Sequence, residues 1–299
     1  MDISKSVDPQ DLFSAKDLVV VITGGGSGIG LAFASALAKS KAAKVYLLGR
    51  RLQPLQDAAS SIDPQIIRPI QADVTSPESI ANAVKVIEKE TDYIDVLVNN
   101  AGISGPALNK HKEAKSIQEL QAMMQKDWHL WNTTWETNTA AVMAVTSAFL
   151  HLLDAGNRRR GWVEGKREIQ KKPSGDPTDM RSSQIITVSS IAAFNREPTA
   201  GVAYLASKAG STAIGKSLSY LLAPWGIRSN VIAPGRFPSE MTAGAAVEFP
   251  VSVLPASKPG EYEDMAAVIL YLVGKSGAYV NGNVQILDGG RLSVMPAMY

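Results

Sequence analysis

Leu18-Val19-Val20-Val21-Ile22-Thr23-Gly24-Gly25-Gly26-Ser27-Gly28-Ile29-Gly30 passes without interruption from an apolar, β-branched run into a cluster of glycines. A short run of that kind reads as a strand buried on both faces. Residues 28–40 are alanine-rich with helical spacing, and residues 44–48 return to a strand pattern. Together they predict a β-α-β unit. Glycines between a buried strand and a helix N-terminus let the backbone approach a ligand closely. The free amides and the helix dipole at that point favour negative charge, so the turn suits a pyrophosphate. No Gly-Lys-Ser/Thr follows, which excludes a kinase-type phosphate loop.

Further strand-like runs stand at residues 66–70, 96–99, 184–189, 227–232 and 284–287, and helical patterns at 77–89, 127–153, 202–223 and 262–273. About seven strands alternating with helices predict a single-domain α/β fold, a Rossmann-type doubly wound parallel sheet. The domain is expected over residues 18–292, after a polar extension at 1–17 and before a tail at 293–299. Residues 154–183 interrupt the alternation with a polar stretch bearing Gly and Pro. Residues 155–183 hold eight Lys or Arg and four Asp or Glu, a charge of +4. The stretch reads as an inserted, solvated mobile loop, or alternatively as a contact for a phosphorylated or acidic partner. Trp128, Trp131 and Trp135 fall at helical spacing, which predicts a packed core stripe, with a substrate-facing aromatic wall as the alternative.

In the 299 residues, 45% are hydrophobic and 19% charged, an ordinary balance for a chain with a substantial core. The formal net charge of +2 gives no whole-molecule field for nucleic acid or an acidic membrane surface. The absence of cysteine excludes disulfides and thiolate sites, and His111, His129 and His151 form no metal-spaced pair. The N-terminus lacks a basic-then-apolar leader, and no uninterrupted apolar run reaches bilayer length. The expectation is an intracellular, cytoplasmic protein without a metal, a nucleic-acid partner or a membrane anchor.

Tyr204-Leu205-Ala206-Ser207-Lys208 places a phenol and an amine four residues apart in a helical segment, hence on one face. A phenol with a pKa near 10 is sluggish at neutral pH; a neighbouring ammonium favours phenolate and lowers that value. By itself the pair is common. Its setting is more specific. The spacing Thr23-Gly24-x-x-x-Gly28-x-Gly30 with Ser27 and Ile29, then Asp73-Val74 and Asn99-Asn100-Ala101-Gly102 at two further strand ends, resembles the short-chain dehydrogenase/reductase superfamily. So does Ile185-Ile186-Thr187-Val188-Ser189-Ser190 ahead of Tyr204. Trp131 seven positions before Asn138, the Pro234-Gly235 turn with Phe237 and Ser239, and Asp288-Gly289-Gly290 extend the likeness over residues 18–292. Within the superfamily the chain is similar to the 3-oxoacyl reductase-like branch.

The resemblance implies a tetrad of Asn138, Ser190, Tyr204 and Lys208, with Ser189 as the alternative serine. It also implies a dinucleotide held by the glycine turn, Asp73, Val74, Asn100, Ala101, Gly102, Tyr204, Lys208, Pro234, Gly235, Phe237 and Ser239. Where an acidic residue would bind the adenosine ribose hydroxyls, the sequence reads Gly49-Arg50-Arg51. Guanidinium groups suit a 2′-phosphate, so NADP(H) is the expected cofactor. The implied activity interconverts a ketone and a secondary alcohol. Residues 242–253, TAGAAVEFPVSV, are shorter than the helical lid of many relatives, which points to a bulky, polyketide-type or carrier-tethered 3-oxoacyl substrate. Relatives pair the helices expected at 127–153 and 202–223, which implies a homodimer or homotetramer. The rival readings are a catalytically silent NADP(H)-sensing regulatory protein and an epimerase or dehydratase using bound cofactor.

Overall fold

The computed structural model describes residues 8–108, 110–168, 173–174, 179–242, 244 and 246–297. Strands β1 (Val19–Thr23), β2 (Lys44–Gly49), β3 (Ile67–Gln71), β4 (Val96–Asn99), β5 (Gln184–Val188), β6 (Arg228–Pro234) and β7 (Val284–Leu287) pair in parallel in the order β3-β2-β1-β4-β5-β6-β7. The chain therefore winds outward from β1 to β3, crosses back, and continues from β4 to β7. The crevice beyond the carboxyl ends of β1 and β4 is the switch point of that winding, where open α/β sheets bind ligands.

Nine α-helices flank the sheet among the described residues: α1 (Pro9–Leu12), α2 (Gly28–Lys39), α3 (Leu52–Ile62), α4 (Pro77–Glu88), α5 (Ile117–Gln125), α6 (Leu130–Trp135), α7 (Ala141–Arg159), α8 (Val202–Leu221) and α9 (Tyr262–Val273). Alternation along each strand assigns its side chains to two cores. Val20 and Ile22 of β1 pack with Phe33 and Leu37 of α2 and with Met265, Ile269 and Leu272 of α9. Val19 and Val21 point the other way, toward Ile80 and Ile87 of α4, Phe149 and Leu152 of α7 and Leu218 of α8. All five residues of β1 are buried, as a strand covered on both faces requires.

Two expectations need correction. The tryptophan stripe is not core: Trp128 is 64% and Trp135 49% exposed. The helix expected from residue 127 begins only at Leu130, because Lys126 is extended and Asp127 is left-handed (φ 56°), so Trp128 precedes the helix and leans on Trp131, ring centroids 4.9 Å apart. From Leu130 the helix runs through a π turn at Glu136–Ala140 to Arg159. By length and composition that helix could cross a membrane, yet half of its most apolar window is packed inside the fold.

The inserted segment is also not simply a solvated excursion. Residues 154–159 continue α7, and both ends of the segment are fastened at the amino edge of the sheet. Arg160 binds Asp95 at 3.0 Å and Asp179 at 2.8 Å, and Arg181 binds Asp179 at 2.7 Å. Trp162 is buried and donates to the Arg181 carbonyl, while Asn157 accepts from Ser183 N and donates to Gly226 O. Part of the positive charge is thus neutralised within the fold rather than offered to a partner. Residues 169–172 and 175–178 lie outside the described residues.

This brace carries a pH signature. Burial alone would raise the Asp179 carboxyl, but the Arg181 and Arg160 guanidiniums reverse that and hold it at about 2, against 3.8 unperturbed. A folded pKa below the unfolded one means stabilisation that is complete above about pH 4 and disappears as pH falls toward 2. Asp179→Asn is expected to lower unfolding free energy by about 2 kcal/mol at pH 7. Urea titrations at pH 7 and near pH 2 check this, and a deficit of equal size at both pH values would sink it.

Candidate active site

The first strand delivers Thr23 into the crevice, where its hydroxyl accepts hydrogen bonds from Asn100 N and Ala101 N, each at 3.0 Å. Asn100 Nδ2 donates in return to Thr23 O at 2.9 Å and to Gly24 O at 3.0 Å, so the ends of β1 and β4 are stitched together. Gly24 and Gly28 hold left-handed φ values of 66° and 54°, which glycine adopts without cost. A Cβ at Gly30 would overlap the Gly24 carbonyl oxygen and lie 2.6 Å from Asn100 Nδ2; only a hydrogen fits there. Ser27 caps α2 without a side-chain bond to its amides, leaving the helix N-terminus open to an anion.

Of the residues expected to form the tetrad or to hold the dinucleotide, all except Thr23, Gly30 and Asn138 line one cavity of about 680 Å³ that runs from the end of β2 past the glycine turn to α8. The three exceptions stand behind its wall as supports. At the β2 end, Arg50 and Arg51 enter the lining together with Asp73 and Val74. The Asp73 carboxyl accepts from Thr75 N and Thr75 Oγ1, which hold it below the usual carboxylate range, and nearby Arg50 adds to the effect. Arg51 caps α3 and reaches across the cavity to Glu240, with Nη2 at 2.6 and 2.8 Å from the two carboxylate oxygens.

At the other end, Tyr204 and Lys208 lie one turn apart on α8. The Tyr204 phenol is raised by burial and drawn back by a hydrogen bond with Ser190. Lys208 Nζ donates to Val188 O at 2.9 Å and lies 5.8 Å from the centre of the Tyr204 ring. Burial pulls the lysine down to about 8. The expected lowering of the phenol by its neighbouring ammonium is therefore not what dominates in this structure; enclosure does. The two serines after β5 face different ways. Ser189 donates to Lys208 O at 2.8 Å and pairs with Thr212 Oγ1 at 2.6 Å, while Ser190 is the one at the phenol.

Asn138 sits at the middle of the π turn, fully committed: its Oδ1 accepts from Ile103 N at 2.8 Å, and its Nδ2 donates to Ile103 O at 2.9 Å and Ser207 Oγ at 3.0 Å. A Cβ at Gly102 would come within 3.2 Å of Asn138 Oδ1 and 3.3 Å of Lys208 Nζ, so glycine keeps open a space bounded by both. Ser207 was not singled out by sequence reasoning. It is completely buried and donates to Tyr204 O at 2.8 Å, which ties the asparagine to the tyrosine's turn of helix. Its position inside Tyr-x-x-Ser-Lys was the available signal. Beyond β6, Gly235 N donates to Leu287 O, and Phe237 and Ser239 form a wall tied down by Thr242, whose hydroxyl bonds Phe237 O at 2.7 Å and accepts from Ser239 N at 2.9 Å. Thr242, too, was missed, being separated from any motif.

The cavity fits an extended dinucleotide. It offers an open helix N-terminus at its middle, two guanidiniums at one end and a phenol-amine pair at the other, with glycines wherever a Cβ would intrude. No group of His, Asp and Glu able to hold a metal occurs among the described residues.

Comparison with known proteins agrees. Residues 18–163 match the family model described as short chain dehydrogenase, and residues 176–291 match that described as Enoyl-(Acyl carrier protein) reductase. Short-chain dehydrogenase/reductase VdtF of Byssochlamys spectabilis is 39% identical over 99% of each chain. The rhamnolipids biosynthesis 3-oxoacyl-acyl-carrier-protein reductase of Pseudomonas aeruginosa is 28% identical over 93% of this chain and 97% of that protein. Among solved structures, the Pseudomonas aeruginosa RhlG/NADP active-site complex superposes with a TM-score of 0.75 at 28% identity, over 94% of this chain and 98% of its own.

Proposed function

The chain belongs to the short-chain dehydrogenase/reductase family, and from that premise we propose that it is a cytoplasmic NADPH-dependent reductase converting a ketone to a secondary alcohol. The observation that carries the reading is the single cavity with Ser190, Tyr204 and Lys208 at one end and Arg50 and Arg51 at the other.

NADPH, when bound, supplies the hydride. The Ser190 hydroxyl donates a hydrogen bond to the substrate carbonyl oxygen and steadies the charge that develops there. Tyr204, kept protonated by burial, gives its proton to the same oxygen. Lys208, charged below about pH 8, binds the nicotinamide ribose and stabilises the phenolate left after proton transfer. Asn138, through Ile103 and Ser207, fixes the floor on which these groups stand. Asn100 and Thr23 hold the glycine turn, and Ala101, Gly102, Pro234, Gly235, Phe237 and Ser239, which line the cavity, would hold the nicotinamide half of the cofactor. Arg50 and Arg51, which follow β2 where an acidic residue would bind the ribose hydroxyls, would bind the adenosine 2′-phosphate. The NADP in the RhlG complex supports the same choice.

For substrate we favour an extended 3-oxoacyl or polyketide-type ketone, free or carrier-tethered. Among the described residues no α-helix covers the cavity between Thr242 and Tyr262, and the name of the Pseudomonas relative supports acyl chemistry. Assembly as a homodimer or homotetramer fits the outer faces of α7 and α8, where Met143, Tyr220 and Leu221 are exposed. The test is a panel of small and extended ketones assayed with NADPH and NADH. Turnover with NADPH is expected to exceed that with NADH by at least about tenfold, the scale of one charge-assisted phosphate contact. Faster turnover of the small ketones would overturn the substrate reading, and an NADH preference the cofactor reading.

A further inference from the structure

Arg51 stands at the end of β2 and Glu240 on the turn that follows Phe237, yet they meet over the cavity mouth as an ion pair. Their side chains are 65% and 61% exposed. An ion pair so exposed adds little to fold stability, so its partners are free to exchange. We propose that Glu240 sets cofactor preference: its carboxylate competes with the adenosine 2′-phosphate for Arg51 and weakens NADPH selectively. The proposal rests on the reading of Arg50 and Arg51 as the phosphate site.

The geometry supports competition rather than simple proximity. Both Glu240 oxygens contact the same nitrogen, Nη2, so the carboxylate occupies one corner of the guanidinium instead of gripping its two-nitrogen edge. A phosphate can take that edge in a fork and displace the weaker partner. Glu240 cannot simply retreat with its loop. A Cβ at Gly28 would lie 3.3 Å from the Cβ of Ser239, so the loop rests on the glycine turn, and Thr242 ties residues 237 and 239 together. The carboxylate therefore stays within reach of Arg51 and keeps competing for it. Arg50 makes no ion pair among the described residues and faces Asp73 only at Coulombic range, so it offers the phosphate an uncontested cation while Arg51 must first be released. NADH, with free ribose hydroxyls, makes no demand on Arg51 and leaves the pair closed.

The experiment is a titration of the full-length protein with NADPH and with NADH, followed by nicotinamide fluorescence, for the wild type, Glu240→Gln, Arg51→Ala and the double variant. Gln keeps the length of the side chain and removes its charge. Glu240→Gln is expected to lower the dissociation constant for NADPH about three- to tenfold and to change that for NADH less than about twofold. In the Arg51→Ala background the same substitution is expected to lose most of its effect. Equal changes for both nucleotides, or no change, would overturn the proposal. A full effect persisting without Arg51 would overturn it as well, by showing that Glu240 acts on the phosphate directly. A wild type that binds NADH more tightly would fail the cofactor reading itself, and the proposal with it.

Discussion

Tyr204→Phe is expected to lower kcat for ketone reduction by about 10²- to 10⁴-fold, the range of a lost general acid, with a much smaller effect on NADPH affinity. The substitution removes one hydroxyl from a half-buried side chain on α8 and leaves the ring, so the cavity keeps its shape. Ser190 loses its bond to the phenol but retains the one its oxygen accepts from Ala192 N. The chemistry therefore fails while the architecture persists. Circular dichroism and nucleotide titration separate the two, and turnover close to that of the wild type would remove Tyr204 from the mechanism.

The native protein's pH profile extends that prediction. Burial keeps the Tyr204 phenol protonated above its ordinary range, and the same burial lowers Lys208 to about 8. Reduction requires both protons, so the limiting group is the lysine, whose charged form dominates below about pH 8. The rate of reduction is expected to be level under that value and to fall above it. A profile level to pH 10 would show that Lys208 acts without its charge.

The β1-glycine-α2 passage was legible because buried strands and tight turns leave strong local signals in apolar runs and glycines. Helix α3 is faint in the sequence because only Leu55, Ala58 and Ala59 of its eleven residues are buried, two of them alanines that mark an apolar face weakly. Helix α5 buries none of its residues, so it has no apolar face against a core; its mark is the cap at Ser116, whose hydroxyl accepts from Glu119 N. The break at Asp127 is a single left-handed residue that spacing cannot announce. Ser189 and Ser190 were inseparable in one dimension because adjacent residues at a strand end face opposite sides, and only the position of α8 decides which meets the phenol. Pairings such as Asp95 with Arg160, or Arg51 with Glu240, join segments far apart in the chain, and nothing local foretells them.

Gly30→Ala tests how much of the nucleotide site depends on one missing carbon. Local propensity favours the change, since alanine in a helix is better than glycine by about 1 kcal/mol. Packing opposes it: the new Cβ overlaps the Gly24 carbonyl oxygen and stands 2.6 Å from Asn100 Nδ2. Neither neighbour is the free end of a flexible side chain. Gly24 O belongs to the turn itself, and Asn100 Nδ2 is held by Thr23 O and Gly24 O, so relief requires α2 to move away from β1 and β4. Overpacking of that kind costs about 1–3 kcal/mol, enough to cancel the gain in propensity. The damage to binding is larger, because a helix N-terminus displaced by about 1 Å no longer points its amides at the pyrophosphate, and misplacement on that scale is worth about 10²-fold. The expected result is a dissociation constant for NADPH raised about 100-fold in a protein that still folds, with a lowered Tm. Binding equal to that of the wild type would mean that the amides of α2 are not what holds the nucleotide.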